Sequence, residues 1–509
     1  MEKRLLLAIG LSLLVLLSWS AFASKTQPVV NNAVALSTPP KIESPLQTKE
    51  STVSHPLPLE ESKRPLLQIN HENTEVYFDE ESAAINKAVF KLQRDETFPL
   101  KFGFLTGGAN LKYSRVKSGP DEVTFVAQDG QKKITKSFIF GKSNYAIDLQ
   151  IKAQNISSSP VTFNPSFILG ILDSSRGNEQ GRYEDIYVAT PEKSSHVSPT
   201  KEYKGGVTKV LGLRDRYFCL IVEPEKTATY NSYVKKLSNT ESEVGLTGEL
   251  ITLQPNVQSG HLFHIYMGPQ DVNAINIVNP DWTNIINFGT FDFISQILLQ
   301  TLEFFNRLVH NWGWSIILLS ILVYLVLYPL SIKQMRSMKE MQAIQPKVEE
   351  LRKQYKDNPQ KLNKEIMELY KLHKVNPLGG CLPLLLQMPI FFALYQALMR
   401  SVALRGAKFL WIKDLSEPDR LFLLPVSLPV ISNEFNILPI IMAIGMFFQQ
   451  KMTSAASGGA AAEQQKMMLI IMPVMFGFIF YRMPSGLVLY WLINSVLMLL
   501  FQLRMNRAK

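Results

Sequence analysis

Gln387, Gln396, Pro383 and Pro389 interrupt a stretch, residues 376–399 (NPLGGCLPLLLQMPIFFALYQALM), that holds no charged side chain. In hydrocarbon a side-chain amide needs a partner or water, and each proline withdraws a backbone donor and bends its helix. Such residues are kept where a helix lines a protein interior or a wet cavity. The chemistry they suggest is the hosting of polar groups inside a membrane. A kinked packing helix whose glutamines bond to neighbours fits the same residues. Bond-making chemistry has little to stand on elsewhere. His261 and His264 would point to opposite faces of a strand and make no metal pair. Gly141-Lys142-Ser143 has the ending of a phosphate loop, but Lys136 stands where the first glycine belongs. With no triad, metal cluster or carboxylate pair, the chain reads as a non-enzyme without cofactor or metal.

The elements that would position these residues fall into two unlike halves of a 509-residue chain, a polar strand-like one and a mostly apolar one. The net charge of +10 lies beside hydrophobic segments, where basic residues set topology and favour anionic lipid rather than nucleic acid. Cys219 and Cys381 fall in different halves, so no disulfide framework is expected.

Lys3 and Arg4 precede an apolar run to residue 23, either a transmembrane anchor or a cleaved signal peptide ending at Ala21-Phe22-Ala23. Residues 24–65, rich in Pro, Ser, Thr and Lys, read as a flexible linker. Over 66–270 the pattern is β. Tyr145, Ile147, Leu149 and Ile151 alternate with Ala146, Asp148, Gln150 and Lys152, and similar runs occur at 122–127, 134–140, 217–222, 250–253 and 261–267. An antiparallel β-sandwich fits, with no function beyond partner contact or spacing. Residues 282–311 carry Phe291, Phe293, Ile294, Ile297, Leu298, Leu302, Phe305 and Leu308 at helical spacing, which predicts an amphipathic helix on the membrane surface. Packing of that segment against the β domain is the alternative.

Five hydrophobic segments follow, at 313–332, 379–401, within 436–449, 467–481 and 485–503. Those near Ile440 and Ile470 are short for a bilayer and would thin it or border a cavity. Eleven Lys and Arg between Lys333 and Lys374, then Lys451 and Lys466, then Arg504, Arg507 and Lys509, predict those loops and the tail 504–509 to be cytoplasmic and the β domain to be outside. The basic loop 333–375 itself reads as a helical hairpin turning at Lys356-Asp357-Asn358-Pro359, suited to lipid head groups, a ribosome or emerging chains.

Asn311-Trp312-Gly313, Tyr328-Pro329-Leu330, the basic hairpin, Asn376-Pro377-Leu378-Gly379-Gly380-Cys381 and Gln387-Met388-Pro389-Ile390-Phe391 resemble the YidC membrane-protein insertases. So do Phe447-Phe448, Lys451-Met452, Met472-Pro473-Val474 and the run from Pro484 to Trp491, in order over about 280–509. Tyr266-Met267-Gly268-Pro269 resembles the closing strand of the periplasmic domain in double-membrane bacteria.

The resemblance implies a polytopic inner-membrane protein of six spans, counting a retained anchor at 1–23, with both termini cytoplasmic and a five-helix insertase core over 312–503. Ser320, Tyr324, Gln387, Asn494 and Ser495 would line a hydrophilic groove open to cytoplasm and lipid. Met388, Pro389, Phe391, Val474, Met475, Phe476 and Ile479 would form the apolar slide that an arriving helix touches, braced by Tyr490 and Trp491. Nascent integral membrane proteins, the Sec translocon and lipids are the implied partners, with ribosome and signal recognition particle receptor at the hairpin. A Sec-associated assembly chaperone without insertase activity of its own is the competing function, and a transporter is disfavoured because no internal repeat is seen. One departure stands out. The family usually carries an arginine one turn before Tyr328-Pro329, and Tyr324 occupies that position, offering a hydrogen bond and no net charge. Arg400 and Arg405 are the nearest other positive charges, at the outer end of their span.

Overall fold

The computed structural model describes residues 65–92, 95–106, 111–173, 184–356, 358–373, 382–428, 432–453 and 460–507. The expected anchor at 1–23, nearly all of the linker and Cys381 lie outside the described residues.

Period-two patterning builds the first half. Strand Ala146–Asn155 buries Ile147, Leu149, Ile151 and Ala153 on one face. It lies inside a nine-stranded antiparallel sheet whose order, by first residue, is 194, 185, 210, 218, 258, 146, 132, 122, 114. A five-stranded sheet and a four-stranded sheet, the latter running Leu67–Gly103 in chain order, share one apolar core with it. This half is therefore β-rich, its antiparallel sheets sharing one core.

Strand Phe218–Pro224 breaks the alternation because both of its faces are covered. Phe218, Leu220 and Val222 enter the shared core, while Cys219 and Ile221 pack on the other side against Trp282 and Ile285. Those last residues belong to a 3-10 turn, Pro280–Ile285, laid across the sheet. Gly212 lets it approach, since a Cβ there would sit 2.4 Å from Cδ1 of Ile285. The start of the 282–311 segment thus follows the alternative of packing on the β domain. Trp282, Ile285, Ile286 and Phe288 are spent on the β domain, and the helix begins only at Asp292.

Among the described residues the helices are α1 (Val272–Val278), α2 (Asp292–Val309), α3 (Trp312–Gln354), α4 (Pro359–Leu372), α5 (Leu382–Arg400), α6 (Leu438–Thr453), α7 (Ala460–Ile479) and α8 (Ser485–Arg507). α2 buries Leu298 and Leu302 against the bundle and leaves Phe293, Ile297, Phe304 and Leu308 exposed. Asn311 caps α3, its Oδ1 accepting from the amides of Gly313 and Trp314. α3 then runs 43 residues without a break, so the apolar segment and the first arm of the basic hairpin are one rod; α4 folds back on it after the Asn358 cap. Among the described residues, two helical stretches are long and apolar enough to cross a membrane, Trp312–Ser337 and Ser485–Met505, and Leu469–Arg482 is a shorter apolar one. α6, at 16 residues, reaches only about 24 Å, less than the roughly 30 Å of a bilayer's hydrocarbon.

Lys136, which the sequence offered only as a flaw in a phosphate loop, is fully buried in the β core. Its Nζ donates to the carbonyls of Ala83, at 2.6 Å, and of Phe104. Both acceptors are left-handed non-glycine residues, with φ of 51° and 61°, so the lysine ties down two strained points of the chain. Burial pushes its ammonium down to about 7. A neutral amine still has two N–H groups and keeps both bonds. Between pH 7 and about 10 the unfolded chain binds the extra proton, so stability rises with pH across that window. Thermal unfolding of the full chain should follow that rise, and Lys136→Met should abolish it while lowering stability at every pH.

Candidate functional site

The helices pack so that α2 lies on α3 and α5, α3 on α8, and α6 on both α7 and α8. Ser295 of α2, fully buried, donates across to the Ala393 carbonyl at 2.9 Å and fixes α5 against it. The C-terminal part of α5 is thereby held, and Gln387, Met388 and Pro389 are half-buried.

A side-chain to side-chain contact joins α5 to α8. Gln387 Nε2 donates to the Tyr490 hydroxyl at 2.8 Å. Tyr490 is fully buried, and one turn further along α8 Asn494 Nδ2 donates to the Tyr490 carbonyl at 3.0 Å. Packing thus brings Gln387 to Tyr490, while the Asn494 bond lies within its own helix, four residues apart. Ser320 is also fully buried, but its hydroxyl turns back to the Ile316 carbonyl at 2.8 Å and so serves its own helix. Ser495 is buried as well. Tyr324 packs edge-on against Tyr328 at 6.1 Å, and Tyr328 in turn on Phe501 of α8. The Tyr324 hydroxyl is shielded and has no partner among the described residues. A buried donor without an acceptor is costly, on the order of 1–3 kcal/mol, and is met by water or an arriving group.

The expected slide divides in two. Phe391 meets the edge of Trp491 at 5.4 Å, and Phe476 stacks on Trp491 at 5.6 Å. Phe480 closes the cluster, 5.3 Å from Trp491 and 5.6 Å from Phe391. Sequence reading passed over Phe480, although it lies one turn from Phe476, the spacing at which two helical side chains share a face. Val474 and Ile479 point the other way and are 63 % and 48 % exposed, with Ile470 and Phe478 beside Val474 on an outward stripe. Met475 is half-buried between the two. Helical rotation decides this, because residues two apart cannot share a face.

The end of the bundle where α5 stops and α3, α6 and α8 start is closed by residues 401–420. Phe409 and Ile412 exchange backbone bonds, and Phe409 packs against Trp314 at 5.7 Å. Asp419 Oδ2 accepts from the amides of Ile437 and Leu438 at the start of α6, and from Trp411 Nε1. Ser485 donates to the Asp414 carbonyl. Neither Arg400 nor Arg405 belongs with Gln387. Arg400 Nη1 donates to the Asn287 carbonyl at 2.7 Å, and Arg405 pairs with Glu96 of the β domain.

Arg216 makes a second bridge of that kind. It stands in the turn 215–217, where Asp215 Oδ1 accepts from the amides of Tyr217 and Phe218, at 2.7 Å each. Burial pushes the Asp215 carboxyl up to about 6 against the pull of those two amides. Arg216 Nε donates to the Met399 carbonyl at 2.8 Å, at the C-terminal end of α5, where a positive charge complements the helix dipole. No spacing in the sequence links positions 96, 216, 399 and 405.

Residues 304–509 match the family model described as 60Kd inner membrane protein, and residues 106–301 match the YidC periplasmic domain. The membrane protein insertase YidC of Pelobacter propionicus is 32% identical over 547 aligned positions, covering 100% of this chain and 99% of that one. That of Syntrophus aciditrophicus is 30% identical over 560 positions, covering 100% of each. A solved structure of an active YidC insertase with its first transmembrane domain resolved is 20% identical, with a TM-score of 0.42, covering 86% of this chain and 92% of that one.

Proposed function

Because this chain belongs to the YidC family of membrane protein insertases, inner-membrane proteins that are not enzymes, we propose that it carries the polar tails of nascent membrane proteins past the Gln387–Tyr490–Asn494 site. A charge at the centre of a bilayer costs about 3 kcal/mol or more on insertion scales. A polar notch inside the bundle and a short helix such as α6 shorten that barrier. The arriving helix then leaves sideways along the exposed stripe of Val474 and Ile479, past Met475, Met388 and Pro389. Its own burial in lipid drives the step, at roughly 25 cal/mol per Å² of apolar area. Phe391, Phe476 and Trp491 stiffen the wall behind it.

The observation that carries this reading is the Gln387–Tyr490 contact, a side-chain polar bond joining α5 and α8 beside the apolar core of the bundle. The shielded, unpartnered Tyr324 hydroxyl adds a donor without a fixed charge, so acidic residues on the substrate gain no salt bridge there. In this reading six spans, the anchor 1–23 among them, hold both termini in the cytoplasm and the β domain in the periplasm. The hairpin of α3 and α4 faces ribosome, signal recognition particle receptor and lipid head groups. Ser320 and Ser495 line the same groove.

Purified chain in proteoliposomes, without Sec components, should insert a small substrate with a short polar tail. Gln387→Leu with Asn494→Leu should reduce that insertion roughly tenfold, if the pair contributes about 1.4 kcal/mol to the crossing, while the protein stays folded. Full insertion by the double variant would remove the polar site from the mechanism. Insertion only when the Sec channel is added would favour an assembly chaperone.

A further inference from the structure

Two contacts set α3 and α8 side by side and parallel. Ile316 lies against Gly486, where a Cβ would come within 3.1 Å of Ile316 Cδ1, and further along both helices Tyr328 packs edge-to-face with Phe501 at 5.3 Å. Between those points Tyr324 stands level with the turn of α8 that carries Asn494 and Ser495. Tyr324 is also midway along the apolar stretch Trp312–Ser337, and Asn494 is midway along Ser485–Met505. Both stretches are long and apolar enough to cross a bilayer, so the phenol and the amide fall at one depth, where water is scarcest.

Fixed charge is distant from that level. Trp312–Ser337 holds Lys333 and Arg336, near its end, Ser485–Met505 holds Arg504, and neither stretch has an Asp or Glu. Lys333 is nine residues from Tyr324, about 13.5 Å along the helix. Arg400 and Arg405 are engaged at the outer end of the bundle by the Asn287 carbonyl and by Glu96. The polar groups the site can offer are therefore neutral: the Tyr324 and Tyr490 hydroxyls and the Gln387 and Asn494 amides. Of these four side chains, three are already bonded within the bundle. The Tyr324 hydroxyl, shielded and without a partner among the described residues, remains for an arriving group.

We infer that Tyr324 is a specificity-determining residue of the insertion site and makes it blind to the sign of charge, so that the favoured substrate is a helix with a polar, uncharged tail. That inference rests on Gln387, Tyr490 and Asn494 being the polar site proposed above. A hydroxyl both donates and accepts, so it serves a carboxylate, an ammonium, an amide or an unpaired backbone carbonyl. For a neutral group that one bond offsets much of the lost water. A charge still lacks a counter-charge, and insertion scales place Asp, Lys and Arg at nearly the same cost at mid-span.

The test uses the full chain in phosphatidylcholine liposomes without a membrane potential, so that neither head-group charge nor voltage sorts the tails. The probes are four forms of a single-span protein whose short tail carries Ala, Asn, Asp or Lys at one position, and protease protection of the tail is read. The parent should insert the Asp and Lys forms equally, within about twofold, and the Asn form better than either. Tyr324→Arg, whose guanidinium stays charged when buried, should favour Asp over Lys by roughly tenfold, the worth of one hydrogen bond to a charged group. Tyr324→Phe should lower the Asn-to-Ala ratio about fivefold, the worth of one neutral hydrogen bond, and leave Asp and Lys equal. Each readout is a ratio between substrates on one protein, so a loss of folded protein cancels from it, and the parent's Asp-to-Lys ratio needs no variant at all. A clear preference of the parent for Asp or for Lys, or an Asn-to-Ala ratio that survives Tyr324→Phe, overturns the role of Tyr324 while the polar site stands. Full insertion of the Asn form by Gln387→Leu with Asn494→Leu overturns both together.

Discussion

Arg405→Ala is expected to lower the stability of the whole chain by about 3–5 kcal/mol, the usual cost of leaving one member of a buried ion pair uncompensated. The side chains of Arg405 and Glu96 are only 14% and 11% exposed. The guanidinium also lies over the Tyr217 ring at 4.6 Å, so its loss strips the joint of a cation–π contact as well. Denaturant unfolding in detergent should shift accordingly. Limited proteolysis should now cut near residues 286–291, where the chain passes from the β domain to α2. Replacing both partners, Arg405→Leu with Glu96→Leu, should recover most of the loss, because the penalty resides in the orphaned carboxylate. A single variant as stable as the parent would mean that the joint is held by Arg216 and Arg400 instead. Those two grip the carbonyls of Met399 and Asn287, so the outer end of α5 would remain pinned.

Substitution at Gly313 should be the most damaging small change in the bundle. A Cβ at this position would lie 2.1 Å from ring atoms of Phe409, well inside contact distance. Phe409 has little room to retreat, since it is buried, bonded through its backbone to Ile412, and packed on Trp314. Overpacking costs typically 1–3 kcal/mol for a well-packed site. Gly313→Leu should exceed that range and displace the cap that Asp419 and Ser485 tie to α6 and α8. The expected readouts are a lowered melting temperature in detergent and a leak of small ions through proteoliposomes. Gly313→Leu liposomes as tight as those of the parent would show that residues 401–420 are not the seal. Pairing it with Phe409→Ala, which vacates the space, should restore stability in part.

The β domain was legible in outline because alternation survives any tertiary arrangement. Ile147, Leu149 and Ile151 face inward in whatever sheet they join. The run at Phe218–Val222 was legible as a strand but not as a doubly covered one, since the cover, Trp282 and Ile285, comes from a segment that reads as the start of a membrane-surface helix. Apolar residues at helical spacing do not say what they will pack against. In the same way Phe391, Phe476 and Trp491 were readable as apolar residues, while the split between an inner aromatic cluster and the outward Val474 and Ile479 needed the rotation of α7.

Sequence alone determined the kind of protein this is: a polar β half, a helical half with amides and prolines inside apolar stretches, and the motifs of a membrane insertase. Those signals are local, each contained within one element and its period. Tertiary structure alone decided which groups meet. Gln387 and Tyr490 are 103 positions apart, Arg216 and Met399 183 apart, and Glu96 and Arg405 309 apart. Hydrogen bonds and ion pairs act over a few ångströms and carry no imprint of chain separation, so only the packing of sheets and helices could reveal them.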